Sequence, residues 1–169
     1  MKVKLKKVHP EDKEVLSRLL ELYQYDFSQF DLQDLNSHGL YGYRYFDHYW
    51  TEDGRHPFFI MVDNHLAGFV LVSDFCYLCE PGEANSISEF FVMRKYRRKG
   101  VGSAAAAEIF RMFPGKWEVL QHPENKLSMM FWENVIQELT RGQYRKLEAV
   151  TEEWTGQALI FAYGAEQKH

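Results

Sequence analysis

The sequence is poor in cysteine, in proline and in long apolar runs, and each shortage excludes something. Two cysteines, Cys76 and Cys79, are too few for a disulfide framework. They form a lone C-x-x-C with neither a second pair nor a histidine at zinc-finger spacing, which predicts a structural thiol pair and no metal. The seven histidines contain no H-E-x-x-H. No apolar stretch approaches the roughly 20 residues that cross a bilayer. The start, M-K-V-K-L-K-K-V, is too short for a secretory signal. The expectation is a cytoplasmic protein with no membrane partner. Nor is there an excess of positive charge: a formal net charge of −4 argues against nucleic acid as the main partner, although cations crowd between Arg94 and Lys99. Repeats, low-complexity tracts and linkers are absent too, so residues 1–169 are expected to form a single domain.

What is present suits one substantial core, with 46% hydrophobic residues in 169. Val3 to Val8 alternates as a strand. Pro10, Glu11 and Asp12 open a helix whose buried stripe is predicted as Val15, Leu16, Leu19, Leu20, Leu22 and Tyr23. A second helix is expected near Gly42 to Trp50, with the aromatic, aspartate-rich segment Y-Q-Y-D-F-S-Q-F-D-L-Q-D-L between the two. Phe58 to Val62 and Leu66 to Phe75 read as a hairpin around Asp63-Asn64-His65, and Ile87 to Met93 as the next strand. A helix after Gly102 should bury Ala105, Ile109 and Met112 and stop at Pro114-Gly115. Trp117 to Gln121 is strand-like, and His122-Pro123-Glu124-Asn125 opens a helix striped by Leu127, Phe131, Val135 and Leu139. Gln143 to Val150 and Ala158 to Tyr163 close the chain as strands. The order is β-α-α-β-β-β-α-β-α-β-β, an α/β fold.

The most informative stretch is Ser86 to Phe110, S-I-S-E-F-F-V-M-R-K-Y-R-R-K-G-V-G-S-A-A-A-A-E-I-F. It reads as an apolar strand, a cationic turn closed by Gly-x-Gly, and an alanine-rich helix. Unpaired N–H groups at a helix start, with the positive end of the helix dipole, suit a pyrophosphate. Gly100-x-Gly102-x-x-Ala105 formally meets the dinucleotide fingerprint, but those glycines normally follow the strand directly, and here Arg94 to Lys99 intervene. A P-loop is excluded because no G-x-x-x-x-G-K-[ST] occurs.

Arg97-x-x-Gly100-x-Gly102, between a strand and a helix, resembles the acetyl-CoA-binding motif of the GCN5-related N-acetyltransferases, the GNAT superfamily. Asn125-x-x-Ser128-x-x-Phe131-Trp132 is similar to a second motif of that family, and the element order resembles its fold over nearly the whole chain. The resemblance implies a mixed, mostly antiparallel sheet of about seven strands with about four helices. It also implies that acetyl-CoA is the co-substrate. In that frame the amides of Arg98, Lys99, Gly100, Val101, Gly102 and Ser103 would cradle the pyrophosphate, with the Arg94, Lys95, Arg97, Arg98 and Lys99 side chains as candidates for phosphates or for solvent. The strand at Phe90, Phe91 and Val92 would splay from its neighbour and pair with the pantetheine amides, an N–H at Phe90 or Phe91 polarising the thioester carbonyl. Asn125 would hydrogen-bond the pantetheine arm, with Phe131 and Trp132 packed along it.

Amine acetylation needs a neutral nucleophile. Glu89 is the catalytic candidate, set in the run Ser88-Glu89-Phe90-Phe91-Val92, where burial would raise a carboxylate's pKa; the other reading is a carboxylate that pairs with a cation or orients the amine. Polyamine acetyltransferases have a similar acidic-Phe-Phe-Val-Met stretch with a further acid before it, where this chain has Ser88. Many members carry a leaving-group tyrosine where this chain has Trp132, whose indole is no practical acid. The acceptor is expected against Tyr25, Asp26, Phe27 and Phe30, with Tyr23, Asp31 and Asp34 nearby and Tyr41, Tyr43, Tyr45 and Trp50 as an extension or lid; carboxylates and aromatic faces suit a cationic amine. The predicted function is N-acetyl transfer to a primary amine of a small molecule or peptide by direct transfer in a ternary complex. A noncatalytic acyl-CoA-binding or regulatory module is the alternative. O-acetyl or longer acyl transfer stays open, and an aromatic-rich sheet edge could support a homodimer.

Overall fold

The computed structural model describes residues 1–164. Seven strands and four helices follow the expected order: β1 Val3–Lys7, α1 Lys13–Asp31, α2 His48–Thr51, β2 Arg55–Val62, β3 His65–Ser73, β4 Asn85–Val92, α3 Val101–Met112, β5 Gly115–Gln121, α4 Lys126–Thr140, β6 Tyr144–Val150 and β7 Thr155–Tyr163. They form one sheet in the order β1-β2-β3-β4-β5-β7-β6. Every pair is antiparallel except the central β4 and β5.

The middle strands are apolar on both faces because both faces are covered. Phe58, Ile60, Val70 and Val72 join Val101, Ala105, Ile109 and Phe110 of α3 and Trp132, Val135 and Ile136 of α4 in one core layer. Phe59, Phe69, Leu71 and Phe91 point the other way, onto Leu16, Leu19 and Leu20 of α1 and Tyr49 of α2. The β2–β3 hairpin turns through Asp63 and Asn64, at φ 47° and 67°. Two positive-φ residues make the turn whose twist matches the flanking strands.

Gly68 sits where two backbones nearly touch. A Cβ there would lie 1.9 Å from the carbonyl oxygen of Phe91 on β4. Neither backbone can yield without breaking the ladder, so Gly68→Ala is expected to cost about 3 kcal/mol in urea unfolding.

Four local expectations need correction. Helix α1 does not stop near Tyr23 but runs to Asp31, and Leu32 closes it in the left-handed region at φ 58°. The aromatic segment is therefore helical: Tyr23, Phe27 and Phe30 continue the stripe of Leu16 and Leu20 at helical spacing, although the segment's composition resembles a loop. The helix expected near Gly42 to Trp50 shrinks to the single turn His48–Thr51. Gly39 and Gly42 upstream adopt positive φ, which ends any helical run there. Finally, Leu22, Met112 and Leu127 are exposed at 49%, 44% and 72%. Each lies at the margin of its apolar stripe, so a small rotation of the helix turns it to solvent.

Candidate active site

The site begins where the sheet opens. β4 pairs with β5 at only two positions, Asn85 with Trp117 and Ser86 with Glu118. Beyond Ser86 the strands part, while β4 keeps its other edge on β3 as far as Val92. The β5-facing edge of β4 from Ile87 onward therefore has no strand partner, and its N–H and C=O groups need one. A register shift helps: Val72 faces Ile87 whereas Leu71 faces Glu89, which leaves Ser88 bulged. The Ser88 hydroxyl is held by that of Ser73, 2.9 Å away.

Past the bulge, alternate side chains of β4 serve opposite faces. Phe90 and Val92 pack on the α3 and α4 layer, and Phe91 packs on the α1 layer. Glu89 shares the α1 face, where it accepts a hydrogen bond from the Tyr23 hydroxyl and a longer one, 3.3 Å, from Tyr43. Burial lifts the Glu89 carboxyl to about 7, against the two phenol hydrogen bonds, which favour its charged form; nearby Asp31 lifts it further. Tyr23 is itself pushed up by burial and by Glu89, and Tyr43 likewise, so both phenols stay protonated and act as donors. The result is a carboxyl poised near neutrality.

Glu89 lies in the wall of a cavity of about 520 Å³. The cavity is also lined by Asp31, Glu118 and Glu153, by Tyr23, Phe27, Tyr43, Tyr45, Phe75, Tyr77 and Trp154, and by a single arginine, Arg55. Arg55 is already engaged, donating to Glu52 at 2.8 Å and lying over the Tyr45 and Tyr49 rings. The cavity's volume falls within the usual range for small-molecule sites.

At the other mouth of the split lies the helix start. Gly100 caps α3 at φ 79°, two residues after Arg98 at φ 57°. The first-turn amides of α3 face outward, with Val101 buried as a core anchor and Ser103 exposed. Gly102 abuts Phe131: an added Cβ would meet that ring at 3.0 Å. Phe131 in turn leans on Phe90, with ring centroids 5.6 Å apart. Phe90, Gly102 and Phe131 thus form one contact line from the open edge of β4 to the start of α3.

Several residues named from the sequence have other partners. Asp26 is not at the cavity: it bridges Arg94 and Arg97, at 2.7 and 2.8 Å. Burial pushes its carboxyl up, but the hydrogen bonds from Arg94 and Arg97 outweigh that and hold it below the ordinary range. Arg97 also donates to the Val92 carbonyl at 2.7 Å, so it clamps the cationic turn to β4 and α1. Arg98 and Lys99 remain exposed. Tyr25 is 67% exposed, on the outer face of α1 away from the cavity. Of the four acceptor candidates Phe27 alone lines the cavity; Phe30 stands behind it, packed on Phe27 and His122. Asn125 caps α4, accepting from the Ser128 amide at 3.1 Å. Trp132 is a core residue, 4% exposed and packed edge-on to Phe90 at 4.8 Å. One helical step from Phe131 is enough to turn it inward.

Glu118, Trp154 and His122 were missed. A carboxylate inside the apolar strand Trp117 to Leu120 was the available signal for Glu118. Trp154 and His122 join the cavity only through the tertiary fold.

The family model of the Acetyltransferase (GNAT) family matches residues 17–134. The chain belongs to that family. Solved structures agree on the fold: an acetyltransferase from Thermus thermophilus superposes with a TM-score of 0.68 at 14% identity, covering 96% of this chain and 97% of that one. An aminoglycoside acetyltransferase, AAC(6')-Ib, in complex with coenzyme A gives 0.64 at 14% identity over 95% of each chain. A PaiA N-acetyltransferase from Thermoplasma acidophilum, also in complex with coenzyme A, gives 0.60 at 12% identity over 96% of this chain and 100% of that one. Among curated proteins none matches by sequence. Among the described residues no helix is long and apolar enough to cross a membrane.

Proposed function

We propose that residues 1–169 form a single-domain N-acetyltransferase that moves an acetyl group from acetyl-CoA to a primary amine of a small molecule or peptide, directly, in a ternary complex. The observation that carries this reading is the Glu89 carboxyl, set near neutrality in the wall of an acidic, aromatic cavity beside the split between β4 and β5. Coenzyme A in the two structural relatives supports the choice of donor.

The surface along Phe90, Gly102 and Phe131 would take the pantetheine arm, and the amides from Arg98 to Ser103 the pyrophosphate. Unpaired N–H groups of β4 would stabilise charge on the thioester oxygen. The carboxylates of the cavity would draw in the acceptor as an ammonium ion, its charge resting against tyrosine and tryptophan faces. Glu89 then removes one ammonium proton. The neutral amine nitrogen forms its bond to the acetyl carbon, the carbon–sulfur bond breaks, and the second nitrogen proton passes through water to the leaving thiolate. Trp132 carries no acidic proton, so water takes that role.

Acceptor-dependent release of the coenzyme A thiol, followed over a panel of polyamines, aminoglycosides and peptide amines, is expected for at least one polycationic amine. Tight coenzyme A binding with no release across the panel would instead favour the noncatalytic module. For the donor site, Gly100→Val forces a branched side chain into φ 79°. It is expected to raise KM for acetyl-CoA by about tenfold while kcat changes far less.

A further inference from the structure

The segment between β3 and β4 carries both cysteines into contact with a strand far away in sequence. Sulfur atoms of Cys76 and Cys79 and a carboxylate oxygen of Glu118 all lie within 4.8 Å of one another. Glu118, on β5, is 1% exposed, whereas both cysteines are only half-buried and open to exchange with solvent. Its two oxygens accept hydrogen bonds from the amides of Tyr77 and Leu78, at 3.0 and 2.7 Å. Those are the two residues inside the C-x-x-C. The loop thus wraps the carboxylate with a thiol on either side. Two amide bonds leave roughly half of a carboxylate's lone-pair sites free.

We propose that Cys76, Cys79 and Glu118 form a binding site for Zn²⁺, with two thiolates and one carboxylate oxygen as protein ligands and water in the fourth position. Two sulfurs and a buried carboxylate select a thiophilic borderline cation over Mg²⁺ or Ca²⁺. Zinc bond lengths of about 2.3 Å to sulfur and 2.0 Å to oxygen require tetrahedral donors roughly 3.3–3.8 Å apart. The three groups therefore need to close by no more than roughly 1.5 Å, within the reach of side-chain rotation. Binding releases the two thiol protons to solvent and forms two Zn–S bonds and one Zn–O bond. Two thiolates and a carboxylate against a divalent ion leave one negative charge. Lys116, hydrogen-bonded to Glu83 at 2.7 Å and close to Cys79, offsets it; Asp74 is the other charge near Cys76.

Without the ion, burial and then Glu118 push the Cys76 thiol up to about 12, and it donates to the Ala84 carbonyl at 3.3 Å. The expectation of no metal weighed the cysteine pair and the histidine spacing, neither of which brings in Glu118. The fold adds the third ligand. Phe75 and Tyr77 of the same loop and Glu118 itself line the cavity, so the ion would fix one of its walls.

Cation binding needs no acyl donor, so it is measured on the full-length protein alone, kept reduced by a phosphine. Titration with Co²⁺ should give one equivalent, with an intense sulfur-to-cobalt charge-transfer band and the visible bands of a tetrahedral site, both abolished by Zn²⁺. Cys76→Ser with Cys79→Ser should remove the charge-transfer band while leaving Glu118 and its amide bonds in place. Glu118→Gln should keep that band but weaken Zn²⁺ binding by at least about tenfold. Absence of the band in the reduced wild-type protein would overturn the proposal. So would a band that survives the double cysteine substitution, or a Zn²⁺ affinity unchanged in a folded Glu118→Gln protein.

Discussion

Replacing Glu89 by glutamine is expected to lower kcat for amine acetylation by about 10²–10⁴-fold, the usual range for loss of a positioned general base. The amide is close in shape, and its oxygen can still accept from Tyr23 and Tyr43, the two donors to this side chain. What it cannot do is take a proton from an ammonium group. Because Glu89 faces the α1 layer while Phe90 and Phe131 pack on the other, coenzyme A affinity measured by calorimetry should change less than about threefold. A carboxylate that only orients the substrate would show a different split, with KM for the amine raised and kcat largely kept. Steady-state kinetics on the best acceptor from the panel separate the two.

The same substitution is expected to stabilise the fold, and the gain should depend on pH. Burial raises the Glu89 carboxyl from 4.5 to about 7. In the unfolded chain the group ionises freely near its ordinary value, so between the two pH values the folded state holds a proton that the unfolded state has released. Wild-type stability from this group is therefore fully present below about pH 4.5 and is lost as pH rises through about 7. At about 1.4 kcal/mol for each tenfold change in acidity, the loss is on the order of 3 kcal/mol at pH 8. Urea unfolding should find Glu89→Gln more stable than wild type by up to that amount at pH 8, with the difference vanishing near pH 4. A buried carboxyl kept at a cost in stability is the trade-off that the proposed catalytic role would require.

Much of the fold was legible because the signals were periodic and local. The apolar runs of β2, β3 and β4 marked strands covered on both faces. Asp63-Asn64 marked their hairpin, and the glycines after the cationic turn marked the start of α3. Glu89 was legible as a carboxylate in an apolar strand. The aromatic segment after Tyr23 was not, because Asp26, Phe27, Phe30 and Asp31 have a loop's composition with a helix's spacing, and the packing of Tyr23 and Phe27 on neighbouring rings decided in favour of the helix. That extension also explains the reassigned residues. It carries Asp26 to Arg94 and Arg97 and turns Tyr25 to solvent. Trp132 shows a different limit: a motif aligned by spacing alone cannot tell which of two adjacent aromatics is buried in the core and which stays half-exposed. The companions of Glu89 and the third partner of the cysteines, Tyr43 and Glu118, are joined to them only by tertiary contacts.

The central claim, that Glu89 is the base for acetyl transfer, is tested most directly by the pH dependence of kcat in the wild-type protein and in Tyr23→Phe. Wild-type kcat should rise with pH through about 7 and level off above it, as the deprotonated carboxyl is the active form. Removing the Tyr23 hydroxyl takes away a hydrogen bond that favours the charged carboxyl, so the rise should move to higher pH in Tyr23→Phe. A rise that instead tracks the pKa of each amine tested, with Tyr23→Phe superposing on wild type, would contradict the claim.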